Sequence, residues 1–165
     1  MEKIDVKSLK VAGGALVFMI IITIIISNLI VSRETYKDIP LGKVIENISN
    51  SIDLSGFKLG KSKDLKRLYG LNISDFEEVV IYTPETNMDV NEILIAKVKN
   101  SSQIDVVEEA IENRVKIQLN SFEGYGVEQC DLLNDYEVKI IGNYIFYGVS
   151  KNIGEIKSAF KDAVQ

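Results

Sequence analysis

The sequence predicts an α+β domain of two layers, with a four-stranded, mostly antiparallel sheet, helices on one face, and one transmembrane helix in front. Three observations lead to this fold class. A stretch at residues 11–32 carries no charge. Helical and strand periodicities alternate along residues 39–165, in the order helix, helix, two strands, helix, a short helical turn, two strands, helix. Each pair of strands is joined by a short segment that suits a hairpin, which predicts antiparallel pairing.

The uncharged stretch accounts for an unusual composition, in which 46% of 165 residues are hydrophobic and 26% are charged. As a helix rising ~1.5 Å per residue, residues 11–32 would span about 33 Å, which is enough for a ~30 Å hydrocarbon core. A buried core helix of this length rarely lacks charge. A cleavable signal peptide has a shorter apolar stretch, and Ile25 stands where a cleavage site after Ser27 needs a small residue. We therefore expect a single-pass signal anchor.

The charges flanking the anchor do not decide its orientation. Three basic residues precede the span and three follow it, namely Lys3, Lys7 and Lys10, and Arg33, Lys37 and Lys43. The short lysine-bearing tail is compatible with a cytoplasmic N-terminus. We therefore expect a cytoplasmic tail at residues 1–10, the anchor at 11–32, a linker at 33–38 and an extracytoplasmic domain at 39–165.

The first half of the domain begins with a helix after Pro40, whose apolar residues recur at helical spacing. Residues 53–60 are rich in turn formers. A second helix is predicted from Ser62 until Gly70, a residue type that commonly ends helices. Residues 79–83 and 93–99 are rich in β-branched residues and predict two strands of a hairpin.

The second half contains the longest helix of the domain. It is predicted to begin at Ser101 or Ser102 and to end at Gly124. After a helical turn near residues 128–133, two strands at 138–141 and 144–149 flank Gly142-Asn143, a dipeptide typical of hairpins. A final helix follows, with apolar residues at Ile153, Ile156, Phe160 and Ala163.

Composition excludes several classes of function. Without residues 1–32 the chain has 16 basic and 22 acidic residues, and this acidity argues against binding to nucleic acid. The absence of histidine excludes Ser-His-Asp and Cys-His catalysis and the zinc sites that use histidine. The single cysteine, Cys130, excludes an internal disulfide, and no sequence pattern indicates a cofactor or a metal. We expect a protein that is not an enzyme.

Arg114 and Gln118 are the strongest candidates for a ligand- or partner-binding site. They lie one turn apart on an otherwise apolar face of the longest helix. A guanidinium there could hold a carboxylate as a clamp, or could be a structural hub whose stem packs while its head stays hydrated. Tyr125, just beyond the helix, is the third candidate; several tyrosines could line a groove or complete the core.

These residues also carry a resemblance. The chain resembles domain of unknown function family 4358 in four parts of the sequence: Leu65, Tyr69 and Gly70; Glu92 to Ala96; Ala110, Ile111, Arg114, Gln118, Phe122 and Tyr125; and Gly142-Asn143-Tyr144. The resemblance covers roughly residues 39–160. It implies a short protein of clostridial-type bacteria, with an N-terminal anchor or lipoprotein signal and one domain outside the membrane. This chain lacks the lipoprotein cysteine and has Gly126 where proline commonly follows the tyrosine. The resemblance implies no activity.

The function expected from these observations is a non-catalytic binding or assembly module of the bacterial cell envelope. It would contact membrane lipid through residues 11–32 and an envelope protein or ligand through its domain. Two alternatives are also compatible with the sequence. One is a small envelope enzyme acting on glycan or peptide, and the other is a structural membrane subunit.

Overall fold

The structure is a computed structural model that describes residues 36–165. The predicted tail, the predicted anchor and the first part of the predicted linker lie outside the described residues. Within residues 36–165, no helix combines the length and the apolar character needed to cross a membrane.

The described residues form five helices and five strands. The helices are α1 (Leu41–Ser51), α2 (Ser62–Tyr69), α3 (Ile104–Phe122), α4 (Val127–Asn134) and α5 (Ile153–Val164). The strands are β1 (Phe57–Leu59), β2 (Phe76–Pro84), β3 (Glu92–Val98), β4 (Glu137–Ile141) and β5 (Tyr144–Val149). Two short 3-10 turns, Ile73–Asp75 and Ser101–Gln103, lead into β2 and α3. The α+β class and the order of the predicted elements are confirmed.

The sheet has the strand order β1-β2-β3-β5-β4, and every neighbouring pair is antiparallel. Both predicted hairpins are present, as β2–β3 and β4–β5. Gly142 adopts φ +59 in the second hairpin, and the ring of Tyr36 lies so close that a Cβ on Gly142 would be 2.3 Å from it. The turn therefore requires glycine for its backbone angle and for the space above it.

The sheet has a fifth strand that the sequence prediction missed. Phe57–Leu59 lies inside the segment interpreted as turns, and pairs with β2 from Tyr82 to Pro84. Three residues are too few to show a period of two, so no pattern within the segment distinguishes strand from turn. Its conformation is set by hydrogen bonding to β2, which is a tertiary contact.

Helices cover both faces of the sheet, so the prediction of two layers with helices on one face was wrong. On one face α2, α3 and α4 pack against Leu94, Ala96 and Ile145. On the opposite face α1 and α5 pack against Ile93, Ile95 and Phe146. The central strands β3 and β5 are buried along their whole length. Such continuous apolar strands need cover on both sides, whereas a half-exposed sheet shows alternation.

The end of the predicted linker packs on the domain. The backbone N–H of Lys37 donates a hydrogen bond to the carbonyl of Val164 at 2.7 Å. The ammonium of Lys97, whose side chain is 6% exposed, lies 2.8 Å from a carboxylate oxygen of Asp38 and 2.8 Å from one of Glu77. Asp38 hydrogen-bonds this ammonium, which lowers the pKa of its carboxyl group. Residues 36–38 thus have defined contacts with the sheet and with α5.

Candidate functional site: a polar pocket beside a buried ion pair

A polar pocket of about 330 Å³ opens between α2, the β2–β3 connection and α3. Asp64 and Arg67 contribute from α2, Asp89 from the β2–β3 connection, and Arg114 and Gln118 from α3. The helical spacing of Arg114 and Gln118 brings both side chains to the same wall, because residues four apart share a helix face. Two of the three candidate residues therefore line one pocket.

Arg114 is held by an internal carboxylate. Its Nε and Nη2 donate to Oε1 and Oε2 of Glu92 at 3.1 and 2.7 Å, which is a bidentate pairing. The Glu92 side chain is fully buried, and the hydroxyl of Tyr69 also donates to its Oε1. The guanidinium therefore joins α3 to the first residue of β3 and, through Glu92, to the end of α2.

Burial and charge determine the ionisation of this cluster. Burial, reinforced by the Glu92 charge, raises the pKa of Tyr69 and that of Tyr147 well above the usual value. For Arg114, burial acts to lower the pKa, but the hydrogen bonds and charge of Glu92 outweigh it and raise the pKa. At neutral pH both phenols stay protonated and the guanidinium stays charged. Neither tyrosine can therefore act as a base at neutral pH.

Gln118 has an unusual environment in the pocket wall. Its side chain is buried, and its Oε1 has no hydrogen-bond partner within the described part of the chain. A buried carbonyl without a partner costs about 1–3 kcal/mol, so folding tolerates it only where other interactions compensate. The hydroxyl of Tyr147, on β5, is also buried and unpartnered among residues 36–165. Of the two, only Gln118 lines the pocket.

Two of the three acidic side chains that line the pocket are engaged in local hydrogen bonds. Asp64 accepts the backbone N–H of Lys61 at 2.9 Å and a guanidinium N–H of Arg67 at 3.2 Å, and these contacts lower its pKa, the backbone bond most. Asp89 accepts the backbone N–H groups of Val90 and Asn91 at 2.6 and 3.0 Å. Both carboxylates therefore shape the loops and helix ends around the pocket.

Tyr125, the third candidate, lies apart from the pocket. Its side chain is 64% exposed, and its hydroxyl donates to the carbonyl of Ser121 at 2.6 Å. The centroid of its ring lies 5.7 Å from that of Phe122, a residue at the end of α3 that borders the pocket. The fold therefore does not bring Tyr125 into contact with Arg114 and Gln118.

Sequence reasoning missed the partner of Arg114. Glu92 lies 22 positions earlier, at the start of an apolar strand, where a charged residue is typical of a solvated strand end. Its burial depends on α2 and α3 covering that end of the sheet. One signal was available: a single carboxylate next to the run Ile93–Ala96, together with a single arginine in an apolar helix stripe, is a pattern expected of a buried pair.

The described residues thus define an antiparallel α+β domain with helices on both sheet faces and a polar pocket supported by a buried Arg–Glu pair. Residues 50–150 match the family described as Domain of unknown function (DUF4358), and the chain belongs to this family. The resemblance noted in the sequence is confirmed. No curated protein and no solved structure matches the chain. Within residues 36–165, no three acidic or cysteine side chains lie together in a group that could hold a metal ion.

Proposed function

We propose that this chain is a membrane-anchored, non-catalytic binding module of the bacterial cell envelope, with its domain outside the cytoplasm and its ligand site in the polar pocket. The unpartnered Oε1 of Gln118 carries the proposal. This oxygen is itself buried, so a ligand in the pocket would reach it only if the Gln118 side chain turned toward the pocket. A hydrogen bond donated to it there would remove its desolvation penalty. Arg114, one turn away, does not supply that bond in the described structure: its Nε and Nη2 donate to Glu92, and the Gln118 oxygen has no partner.

The charges around the pocket favour a neutral or zwitterionic polar ligand. Lys58 and Arg67 bring positive charge to the lining, while Asp64, Glu85 and Asp89 bring negative charge. The charge of Arg114 is balanced by Glu92. A pocket that has charges of both signs and many hydrogen-bonding groups suits a ligand with hydroxyls, with amides, or with a paired ammonium and carboxylate. Its volume suits about one sugar ring or a dipeptide, which are units found in envelope glycan and peptide.

Replacing Gln118 with Met separates the proposed binding role from a structural one. Met conserves the volume and removes the unpartnered oxygen, so we expect the free energy of unfolding to rise by about 1 kcal/mol. The measurement is equilibrium urea unfolding of the full chain in lipid nanodiscs, followed by tyrosine fluorescence. Gln103→Met is the matched control. The Gln103 amide accepts from the N–H groups of Lys99 and Asn100 and donates to Asp75, so this variant should lose stability.

The same variants test binding. Oligosaccharides of N-acetylglucosamine and zwitterionic dipeptides are titrated into the nanodisc-held chain by calorimetry. We expect one of these probes to bind, and its affinity to fall by about tenfold or more in Gln118→Met while Gln103→Met retains it. No binding by either probe class, or equal affinity in the two variants, would rule out the pocket as the site of such a ligand.

The alternative of a small envelope enzyme has less support. Glycoside hydrolysis needs two carboxyl groups at about 5–10 Å, one of them with a raised pKa. Three carboxylates line this pocket. The pKa of Asp64 is lowered and Asp89 is hydrogen-bonded to its own loop, which leaves Glu85 without a second free carboxylate to act with. The alternative of a structural membrane subunit places the function in residues 11–32. Replacing them with an unrelated anchor while retaining function would exclude it.

The proposed topology predicts the behaviour of a fusion protein. Alkaline phosphatase fused after Gln165 should be active in a bacterial host, because the enzyme needs the oxidising environment outside the cytoplasm to form its disulfides. Expression is checked by immunoblot, and a fusion placed before residue 11 is the matched control and should be inactive. An expressed but inactive C-terminal fusion would place the domain in the cytoplasm.

A further inference from the structure

One edge of the sheet is left partly unpaired by the shortness of β1. This strand pairs with β2 from Tyr82 to Pro84, and the last hydrogen bond beyond it runs from the N–H of Gly60 to the carbonyl of Ile81 at 2.8 Å. β2 begins at Phe76. Its residues before Ile81 therefore have β3 on one side and no strand of the described chain on the other.

The backbone polar groups of Val79 point to this open side. Successive residues of a strand direct their N–H and C=O groups to alternate sides, so residues two apart share a side. The pairing of β2 with β3 is regular from Val79 to Ile81, since the one irregularity lies between Phe76 and Glu78. The carbonyl of Ile81 faces β1, and the N–H and C=O of Val79 face the space that a longer β1 would fill.

At Gly60, just after β1, the chain lies very close to β2. A Cβ on Gly60 would lie 2.8 Å from the Cγ2 of Ile81 and 3.3 Å from its carbonyl oxygen, so this close approach favours glycine. Two residues later the chain enters α2 at Ser62. The open stretch of β2 therefore begins where the chain turns from Gly60 into α2.

Beside the open edge lies an apolar notch of about 110 Å³. Leu59, Leu65, Ile73, Val79 and Ile81 line it, with Lys61 at its margin. Leu59 and Ile73 are 61% and 51% exposed, which is unusual for large aliphatic side chains next to free strand groups. The open stretch of β2 also contains two charged residues near its start, but Glu77 is paired with Lys97 and Glu78 accepts the backbone N–H of Leu41.

We propose that this open edge of β2 binds an extended peptide segment of a partner protein by strand addition. The peptide hydrogen-bonds the backbone of Val79, places an apolar side chain in the notch between Leu59 and Ile73, and sets an acidic residue near Lys61. Lys61 is exposed and forms no ion pair among residues 36–165, so its charge is open to a partner. This site is separate from the polar pocket, and neither proposal depends on the other.

The probe is a displayed library of random twelve-residue linear peptides, selected against the full chain in lipid nanodiscs. We expect the enriched peptides to carry apolar residues at alternate positions with an acidic residue at one end. N-methylation of the amides that face β2 should weaken binding about tenfold, and N-methylation of the intervening amides should not. Failure to enrich any such pattern, or equal effects of the two methylation series, would overturn strand addition.

Protein variants locate the site. Leu59→Lys and Ile73→Lys put a charge into the notch at exposed positions that the fold tolerates, and each should weaken the selected peptide at least tenfold. Ile117→Lys is the matched control, because Ile117 is 58% exposed on α3 and does not line the notch. If Ile117→Lys lost binding while Leu59→Lys and Ile73→Lys retained it, the proposal would be overturned. So would a concentration-dependent dimer abolished by Leu59→Lys, since the edge would then be occupied by a second copy of this chain.

Discussion

Glu92→Ala lowers the free energy of unfolding by about 3–5 kcal/mol, because removing one partner of a buried ion pair leaves the other charge uncompensated. The variant strips Arg114 of both hydrogen bonds and leaves the Tyr69 hydroxyl without its acceptor. The measurement is equilibrium urea unfolding of the full chain in nanodiscs, followed by tyrosine fluorescence.

The double variant Glu92→Met with Arg114→Met tests whether the lost free energy of unfolding comes from the uncompensated charge of Arg114. Apolar side chains of similar length avoid the desolvation of both ions, so the double variant should be more stable than Glu92→Ala. Glu128→Ala is the surface control and should have no measurable effect, because both Glu128 and its partner Lys151 are exposed. A Glu92→Ala protein as stable as this control would show that the pair is hydrated and structurally unimportant.

Phe160→Ala tests the layer that the sequence analysis did not predict. Phe160 is fully buried on α5, and its ring stacks on that of Phe146 from β5 with centroids 5.2 Å apart. Truncating a buried phenylalanine removes apolar burial and leaves a cavity, at a cost of about 3–5 kcal/mol. The free energy of unfolding is measured as for Glu92→Ala.

Met88→Ala is the control for this truncation, because Met88 is 62% exposed in the β2–β3 connection and has little burial to lose. Similar stabilities of Phe160→Ala and Met88→Ala would mean that α5 does not cover the second face of the sheet. Two layers would then describe the domain better than three.

The elements of the fold were largely predictable from local patterns. Apolar residues at helical spacing and the turn dipeptide Gly142-Asn143 depend on neighbours a few positions away, and the sequence displays such neighbours directly. Strand β1 was not predictable, because three residues show no period. The number of layers was not predicted, because the apolar run of β3 indicates a buried strand but does not show which helices cover each of its faces.

The residues of the candidate site likewise fall into those that local spacing predicts and those that depend on tertiary packing. Arg114 and Gln118 were found because helical spacing alone places them side by side. Tyr125 was grouped with them by nearness in the chain, yet the turn after α3 directs it to solvent, where its hydroxyl bonds to Ser121. Glu92 was missed because its partner lies 22 positions away, and only the packing of α3 on β3 brings the two together.

The sequence by itself determined the α+β class, the order of the elements, the family resemblance and the two polar residues of the α3 face. These follow from short-range periodicity, composition and spacing. Only the tertiary structure of residues 36–165 decided that their sheet has five strands and two covered faces, and that Arg114 is neutralised by Glu92. It also decided that the Oε1 of Gln118, a residue of the pocket lining, is buried without a partner among those residues. Those properties depend on which distant groups meet once the core excludes water, because burial decides whether a charge or a carbonyl needs a partner.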